Sequence, residues 1–363
     1  MHVEYNDDGT IARFKARIVA CGYSQIEGVD WKEKFASALC ADSCRMFLFD
    51  ACQCNHDILE ADVVKAFTHA SLDEEIYMQP PVGFEQGSKV CRLTKCVEGL
   101  KQGANGFMKL NASVIESLGF KRSMLDPNVY TRTRDNVTLK VACYVDNLLA
   151  SHPRTDAGRA QAMAFFESYG KQINLKVRGK PKKFMGIEID YRPDEGTIFL
   201  KQEEYITEAF EKFCDKSTKV FTTPVQTTAC DAFTKLHCAE TDEERMKMSD
   251  KSYLSLLGTI LWPLIMTRPD AMHYGSFLCQ FMSDPTIECW SSAIALLSYL
   301  YGTRKLGLLF RRAENLTLKL FADSSYGKHP KPMAGHCVFM NGTPVAWLEK
   351  KLKIVPLSSC EAE

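Results

Sequence analysis

Along this chain the spacing of apolar residues changes character several times, and each change marks an element. Between Ile11 and Gly22 basic and apolar residues alternate (Arg13, Phe14, Lys15, Ala16, Arg17, Ile18), the period of a strand with one charged face. Less regular spacing from Phe35 to Cys54, through Met46, Phe47, Phe49 and Ala51, predicts a helix. Ile58 to Phe67 reads as a strand with two acids, Glu60 and Asp62, embedded in it. An acidic turn at Asp73-Glu74-Glu75 then leads into a short strand stopped by Pro80-Pro81. Helical spacing returns from Asn105 to Leu118, through Phe107, Leu110 and Val114. Val137 to Leu149 predicts a hairpin: Leu139, Val141 and Cys143 alternate, Asp146-Asn147 is a turn-favouring pair, and Leu148-Leu149 opens the return strand. The hairpin carries an acid at its tip.

Further on, Arg159 to Phe166 reads as helix and Phe184 to Tyr191 as strand, with Pro193-Asp194-Glu195-Gly196 turning into a strand at Thr197 to Lys201. Beyond Gln202 the pattern becomes mainly helical, at Glu203 to Phe213, Tyr253 to Met266 and Thr286 to Leu300, with a boundary near Pro224. The polar stretch from Glu240 to Asp250 reads as a linker. Leu316 to Ala322, His336 to Met340 and Thr343 to Trp347 predict three strands of a small separate sheet. There is no internal repeat, and the fold class is α+β.

Composition narrows this picture. With 363 residues, 45% hydrophobic and 25% charged, the chain has the proportions of a globular protein, long enough for roughly two or three domains. Its 45 basic and 45 acidic residues cancel, so any attraction for nucleic acid must be local. The best basic stretch is Lys171 to Lys183, with Lys171, Lys176, Arg178, Lys180, Lys182 and Lys183 and no acid, which reads either as phosphate contacts or as a solvated loop. The apolar stretch Leu254 to Met266 is shorter than the ~20 residues of a membrane span, and the acidic start (Glu4, Asp7, Asp8) is unlike a signal peptide, so an intracellular protein without a membrane partner is expected. In that compartment the 15 cysteines stay thiols. Cys52, Cys54 and His56 offer soft zinc ligands, but no second pair stands at a zinc-module spacing, and small core residues are the favoured reading.

Asp62 and Asp146 bear the chemistry. One is on a buried-looking strand, the other on a hairpin tip, and an ionised carboxylate in such a place is costly unless a cation or donors meet it. Paired strand-borne carboxylates suit magnesium, which prefers hard oxygen ligands; two such ions can activate a hydroxyl and stabilise a leaving pyrophosphate.

In order along the chain stand Arg13-Phe14-Lys15-Ala16-Arg17-Ile18-Val19-Ala20, Asp62-Val63-Val64-Lys65-Ala66-Phe67, Glu75-Ile76-Tyr77-Met78-Gln79-Pro80-Pro81-Val82-Gly83-Phe84, Gly99-Leu100-Lys101-Gln102, Leu118-Gly119-Phe120, Asp126-Pro127-Asn128-Val129-Tyr130, Tyr144-Val145-Asp146-Asn147 and Met185-Gly186-Ile187-Glu188-Ile189. Together they resemble the reverse transcriptase region of copia-type long-terminal-repeat retrotransposon polyproteins. Thr267-Arg268-Pro269-Asp270, Phe281-Met282-Ser283-Asp284-Pro285-Thr286 and Leu357-Ser358-Ser359-Cys360-Glu361-Ala362-Glu363 continue the resemblance, the last in its RNase H region.

The resemblance implies a right-hand polymerase: fingers and palm over 1–225, a helical thumb or connection over 226–315, and an incomplete RNase H-like domain over 316–363. It implies RNA-directed DNA synthesis with an RNA template, a DNA primer and deoxynucleoside triphosphates, in cytoplasmic particles or the nucleus. Asp62 and Asp146 are then ligands of two magnesium ions. Lys15 and Arg17 neutralise the triphosphate, Gln102 lies beside the nucleotide, and Phe67 lies under its sugar. Taken singly, Phe67 reads rather as plain core, and Lys15 and Arg17 as a solvated face. Asp323 and Glu361 match two of the RNase H acids. The chain departs from the family at Asn147, where active members carry a second aspartate, and at Gly103-Ala104-Asn105, where an arginine and tryptophan are usual. Loss of that negative charge weakens hold on the second dication and implies impaired synthesis. The competing expectation is a noncatalytic nucleic-acid-binding remnant.

Overall fold

The structure, a computed structural model, describes residues 2–5, 10–224, 236–324 and 333–353. The first stretch runs β1 (His2–Tyr5), β2 (Ile11–Lys15), α1 (Ala41–Gln53), β3 (His56–Val63), β4 (Tyr77–Met78), β5 (Cys91–Arg92) and α2 (Gly103–Ser117). It continues with β6 (Lys121–Arg122), β7 (Val129–Arg134), β8 (Val137–Tyr144), β9 (Asn147–Pro153), α3 (Asp156–Gly170) and β10 (Leu175–Gly179). Then come β11 (Lys183–Phe184), β12 (Ile187–Arg192), β13 (Thr197–Lys201), α4 (Glu203–Phe213), α5 (Asp242–Met246), α6 (Tyr253–Met266), α7 (Met272–Leu278) and α8 (Ile287–Gly302). The last strands are β14 (Leu308–Arg311), β15 (Leu318–Ser324), β16 (Met333–Met340) and β17 (Thr343–Lys351). The chain is thus mixed α and β, in two compact units: Met1–Cys40 with Asp57–Lys180, and Ala41–His56 with Pro181–Glu363.

The first unit is built on a six-stranded sheet in the order β10-β3-β9-β8-β7-β6. Period-two alternation on β8 sends Leu139, Val141 and Cys143 into one core, where α2 adds Phe107, Val114 and Ile115 and α3 adds Phe165, Phe166 and Tyr169. Full burial of each such large side chain contributes about 1.5–3 kcal/mol. The Tyr169 hydroxyl donates to Asn111 Oδ1 at 2.8 Å, so this buried polar pair is satisfied. Helix α3 starts where Thr155 accepts from the Gly158 amide, a side-chain cap on an otherwise unpaired donor. Asp126 holds a neighbouring segment: its carboxylate accepts from the amides of Cys40 and Asn128, both at 2.9 Å.

In the second unit α4, α6, α7 and α8 share a core around Ile206, Leu256, Ile260, Leu264, Leu296 and Leu300. Beside them lie the sheets β11-β12-β13-β14 and β15-β16-β17. Two buried arginines tie elements together. Arg45, on α1, donates to the carbonyls of Val345 and Met266, pairs with Asp42, and stacks 3.7 Å from the Trp347 ring centroid. Arg268 makes a two-pronged contact with Asp270 at 2.9 and 2.8 Å, and also bonds Thr303.

Several predicted boundaries move, for identifiable reasons. The first strand stops at Lys15, leaving Arg17 beyond it, and the helix expected from Phe35 begins at Ala41. The strand through Asp62 ends at Val63; Lys65 takes a left-handed conformation (φ 53°) and a 3₁₀ turn at Ala66–His69 carries Phe67 off the sheet. Phe184 to Tyr191 is two strands rather than one, since Met185 and Gly186, with φ of 50° and 72°, form a two-residue hairpin turn. The polar linker holds α5, whose Thr241 and Glu244 form a reciprocal capping box, a signature that polarity alone conceals. Helix α7 and strand β14 escaped the hydrophobic pattern altogether.

Candidate active site: two carboxylates where β3 meets the β8–β9 hairpin

Strands β3 and β9 are neighbours in the first unit's sheet, and this adjacency makes the site. Asp62 is the penultimate residue of β3, and the next amide, Val63 N, donates to the carbonyl of Asp146 at 2.7 Å. Two acids eighty-odd positions apart in sequence are therefore brought to one place. The Asp62 charge is one of the influences that push the Asp146 carboxyl up.

The hairpin tip differs from the sequence expectation by one residue. Tyr144 pairs with Asn147, so Val145 and Asp146 are the turn and Asn147 is the first residue of β9. Val145 has φ 53°, the left-handed region that a β-branched residue rarely enters. A two-residue turn matched to the sheet twist requires positive φ at its first central position. Here that requirement falls on valine, and local strain at the tip results.

Burial is the largest influence on Asp146 and raises its pKa above the ordinary carboxylate value; Arg17 and Arg178 oppose the rise, Asp62 adds to it. Glu60, two residues before Asp62 on β3, is likewise raised by burial, with Arg178 countering and Asp62 reinforcing. Arg178 donates from Nη2 to Asp62 Oδ2 at 2.8 Å, and that hydrogen bond is the main cause of its own raised pKa. The arginine reaches Asp62 because β10 is irregular there. Lys176 lies opposite Asp62 and Val177 opposite Ala61, but Gly179 lies opposite Glu60, so Arg178 is the extra residue of a bulge.

The other expected residues are placed as follows. Arg17 is exposed, pairs with Glu98 at 3.4 Å, and acts on Asp146 through its charge. Its approach depends on Gly99, at φ 93°: an added Cβ would lie 2.1 Å from the Ala20 carbonyl oxygen, so only glycine lets the two segments meet. Lys15 ends β2, paired with His2. Phe67 packs edge-on against Phe107, ring centroids 6.4 Å apart, and is half-buried. Gln102 donates to the Asp30 carbonyl at 2.9 Å and accepts from Gln25 at 3.1 Å, so its amide braces a loop. Asp323 is on β15 in the second unit, opposite Gly335; Glu361 lies outside the described residues. Sequence reading missed the placement of Glu60 and Arg178. The signal for Glu60 was its i, i+2 spacing from Asp62, which puts both on one strand face; a bulge has no comparable sequence mark.

Among the described residues no group of three or more His, Cys, Asp or Glu side chains is gathered to hold a metal. What the site presents is a pair of carboxylates. That donor set fits magnesium, which takes one or two carboxylates and completes its octahedron with substrate phosphates and water. It does not fit zinc, and Cys52, Cys54 and His56 are not gathered into a site: the Cys52 thiol donates to the Gly196 carbonyl at 3.3 Å. Among the described residues no helix is long and apolar enough to cross a membrane.

Comparison with known proteins agrees with the geometry. The family described as reverse transcriptase (RNA-dependent DNA polymerase) matches residues 1–227. The retrovirus-related Pol polyprotein from transposon TNT 1-94 of Nicotiana tabacum is 30% identical, covering 98% of this chain and 27% of that protein. The corresponding polyprotein from transposon RE2 of Arabidopsis thaliana is 28% identical, covering 99% of this chain and 24% of its own length. A putative transposon Ty5-1 protein of Saccharomyces cerevisiae is 30% identical over 83% of this chain and 96% of itself. The chain belongs to the reverse transcriptase family, as the reverse transcriptase region of a copia-type long-terminal-repeat retrotransposon polyprotein. It spans about a quarter of the length of the plant polyproteins it matches. Reverse transcriptases are magnesium-dependent as a family.

Proposed function

We propose that this chain is the RNA-directed DNA polymerase portion of its polyprotein, extending a DNA primer on an RNA template with deoxynucleoside triphosphates, and that Asn147 impairs it. The single observation that supports this most is the meeting of Asp62 and Asp146, fixed by the Val63 amide on the Asp146 carbonyl. In this reading Asp62 and Asp146 would hold the magnesium, and Asn147 offers only a neutral oxygen where a charge would help with a second ion. When bound, the metal activates the primer hydroxyl and neutralises charge on the transferring phosphate.

The chain's own residues do the rest. Partial burial of Asp146 lowers the local dielectric and would strengthen its electrostatic hold on a cation. Lys15 and Arg17 supply positive charge for the triphosphate. Phe67, stiffened by Phe107, is the wall under the sugar that disfavours a 2′-hydroxyl. Gln102 acts by bracing the 25–30 loop beside the start of α2. In this reading the fingers and palm would be 1–225, the thumb or connection 226–315, and an RNase H-like portion 316–363, with Asp323 and Glu361 as acids of that portion.

Primer extension on an RNA template with magnesium tests the reading. Asp62→Asn is expected to reduce extension at least ~100-fold, the scale of removing a group that stabilises transition-state charge, and Asn147→Asp to raise it. Extension unchanged by Asp62→Asn overturns the assignment. Salt-sensitive duplex binding without extension, even in Asn147→Asp, replaces it with the noncatalytic nucleic-acid-binding reading.

A further inference from the structure

The basic run Lys171 to Lys183 is what a phosphate-binding stripe looks like in sequence, yet one of its members faces the carboxylates. Arg178 stands in the bulge of β10 with its guanidinium 2.8 Å from Asp62 Oδ2. Its charge is felt by Glu60, Asp62 and Asp146 together. A bulge re-aims one side chain without shifting the strand, and here it aims a cation at the carboxylate that the magnesium reading also claims.

We propose that Arg178 is an internal counter-ion of this site: it occupies Asp62 in place of a divalent cation, and metal binding must displace it. The inference rests on the metal-site reading above. Asp62 repels Asp146 on one side and Glu60 on the other, and half-buried carboxylates so placed need positive charge to remain ionised. Arg178 supplies it from a side chain that is itself half-exposed and long, so it can turn to solvent or to a nucleic-acid phosphate when a dication arrives. A guanidinium and a dication cannot both take the same carboxylate oxygen, and even a turned-away arginine a few ångströms from a dication opposes it. At the dielectric of a wet surface that opposition is worth roughly a tenfold change in affinity.

The test is manganese binding to the full chain without nucleic acid, followed by the electron spin resonance of free Mn2+. Arg178→Gln is expected to bind Mn2+ roughly tenfold tighter than the native chain. Arg178→Lys, which keeps the charge, should stay within about threefold of native. Asp62→Asn should bind weakly, and adding Arg178→Gln to it should not restore affinity. Melting followed by circular dichroism checks that each variant folds. Equal affinity of native and Arg178→Gln chains, with binding lost in Asp62→Asn, overturns the counter-ion inference and leaves the metal site standing. Binding indifferent to Asp62→Asn, or absent from every variant, overturns the metal-site reading itself.

Discussion

Asp146 in the first unit and Asp270 in the second are both carboxylates only partly shielded from water, Asp270 with 38% of its side chain exposed, and they have opposite fates. Burial alone would raise either. At Asp270 it is outweighed: the hydrogen bonds and charge of Arg268, with the Tyr299 hydroxyl donating at 2.6 Å, hold the carboxyl below its ordinary value of 3.8. At Asp146 burial prevails over the more distant Arg17 and Arg178, with Asp62 adding repulsion, and the carboxyl rises above 3.8. The second unit thus uses a buried arginine as a structural tie, its guanidinium bonded to Asp270 and Thr303. The first keeps a carboxylate that burial holds above its ordinary value, its neighbouring arginines only partly offsetting the rise.

The comparison breaks most visibly at the tie. Arg268 is buried while Asp270 is partly exposed, so Arg268→Ala loses the arginine's hydrogen bonds to Asp270 and Thr303 and leaves an aspartate that solvent partly relieves; it should destabilise by about 2–3 kcal/mol in chemical denaturation. A loss under about 1 kcal/mol would show that solvent already relieves Asp270.

The two aspartates should also leave opposite signatures in pH. A carboxyl raised by folding favours the protonated native state. Its stabilising contribution is complete below 3.8 and is lost as pH rises through the folded value, so ionised Asp146 is a burden at neutral pH. Asp146→Asn should therefore raise the Tm at pH 7 and leave it unchanged near pH 3.5. Asp270, lowered by folding, contributes above 3.8 and loses that contribution as pH falls through its folded value, so Asp270→Asn should lower the Tm at pH 7. Melting curves at both pH values check the pair, and shifts of the same sign would erase the distinction drawn between the units.

The smallest effect sharpens the picture of the tip. Val145→Gly removes a left-handed β-branched residue that is 44% exposed, and after glycine's entropic penalty about 0.5 kcal/mol of stabilisation should remain in denaturant titrations. Destabilisation instead would mean that the valine side chain packs usefully at the turn.

Much of this was legible in the sequence, for local reasons. The alternation Leu139, Val141, Cys143 named the buried face of β8, because side chains in a strand alternate wherever one face meets a core. The spacing of Phe107 and Val114 did the same for α2. Features governed by backbone dihedrals were harder. The turn lies at Val145-Asp146 and not at the more turn-like Asp146-Asn147, because strand register outranked the intrinsic preference of the pair. The break at Met185-Gly186 likewise follows from pairing between β11 and β12.

Residue order and chemistry by themselves determined the kind of protein, the identity of the two acids and the neutral residue beside one of them, since those are properties of individual side chains and of runs a few residues long. Only the tertiary structure decided that Asp62 and Asp146 share one place, that burial prevails over charge at Asp146, and that Arg178 faces Asp62 rather than a phosphate. Those depend on which strands become neighbours and on a one-residue bulge. Both are settled by the packing of the whole sheet, and no local stretch of sequence encodes that packing.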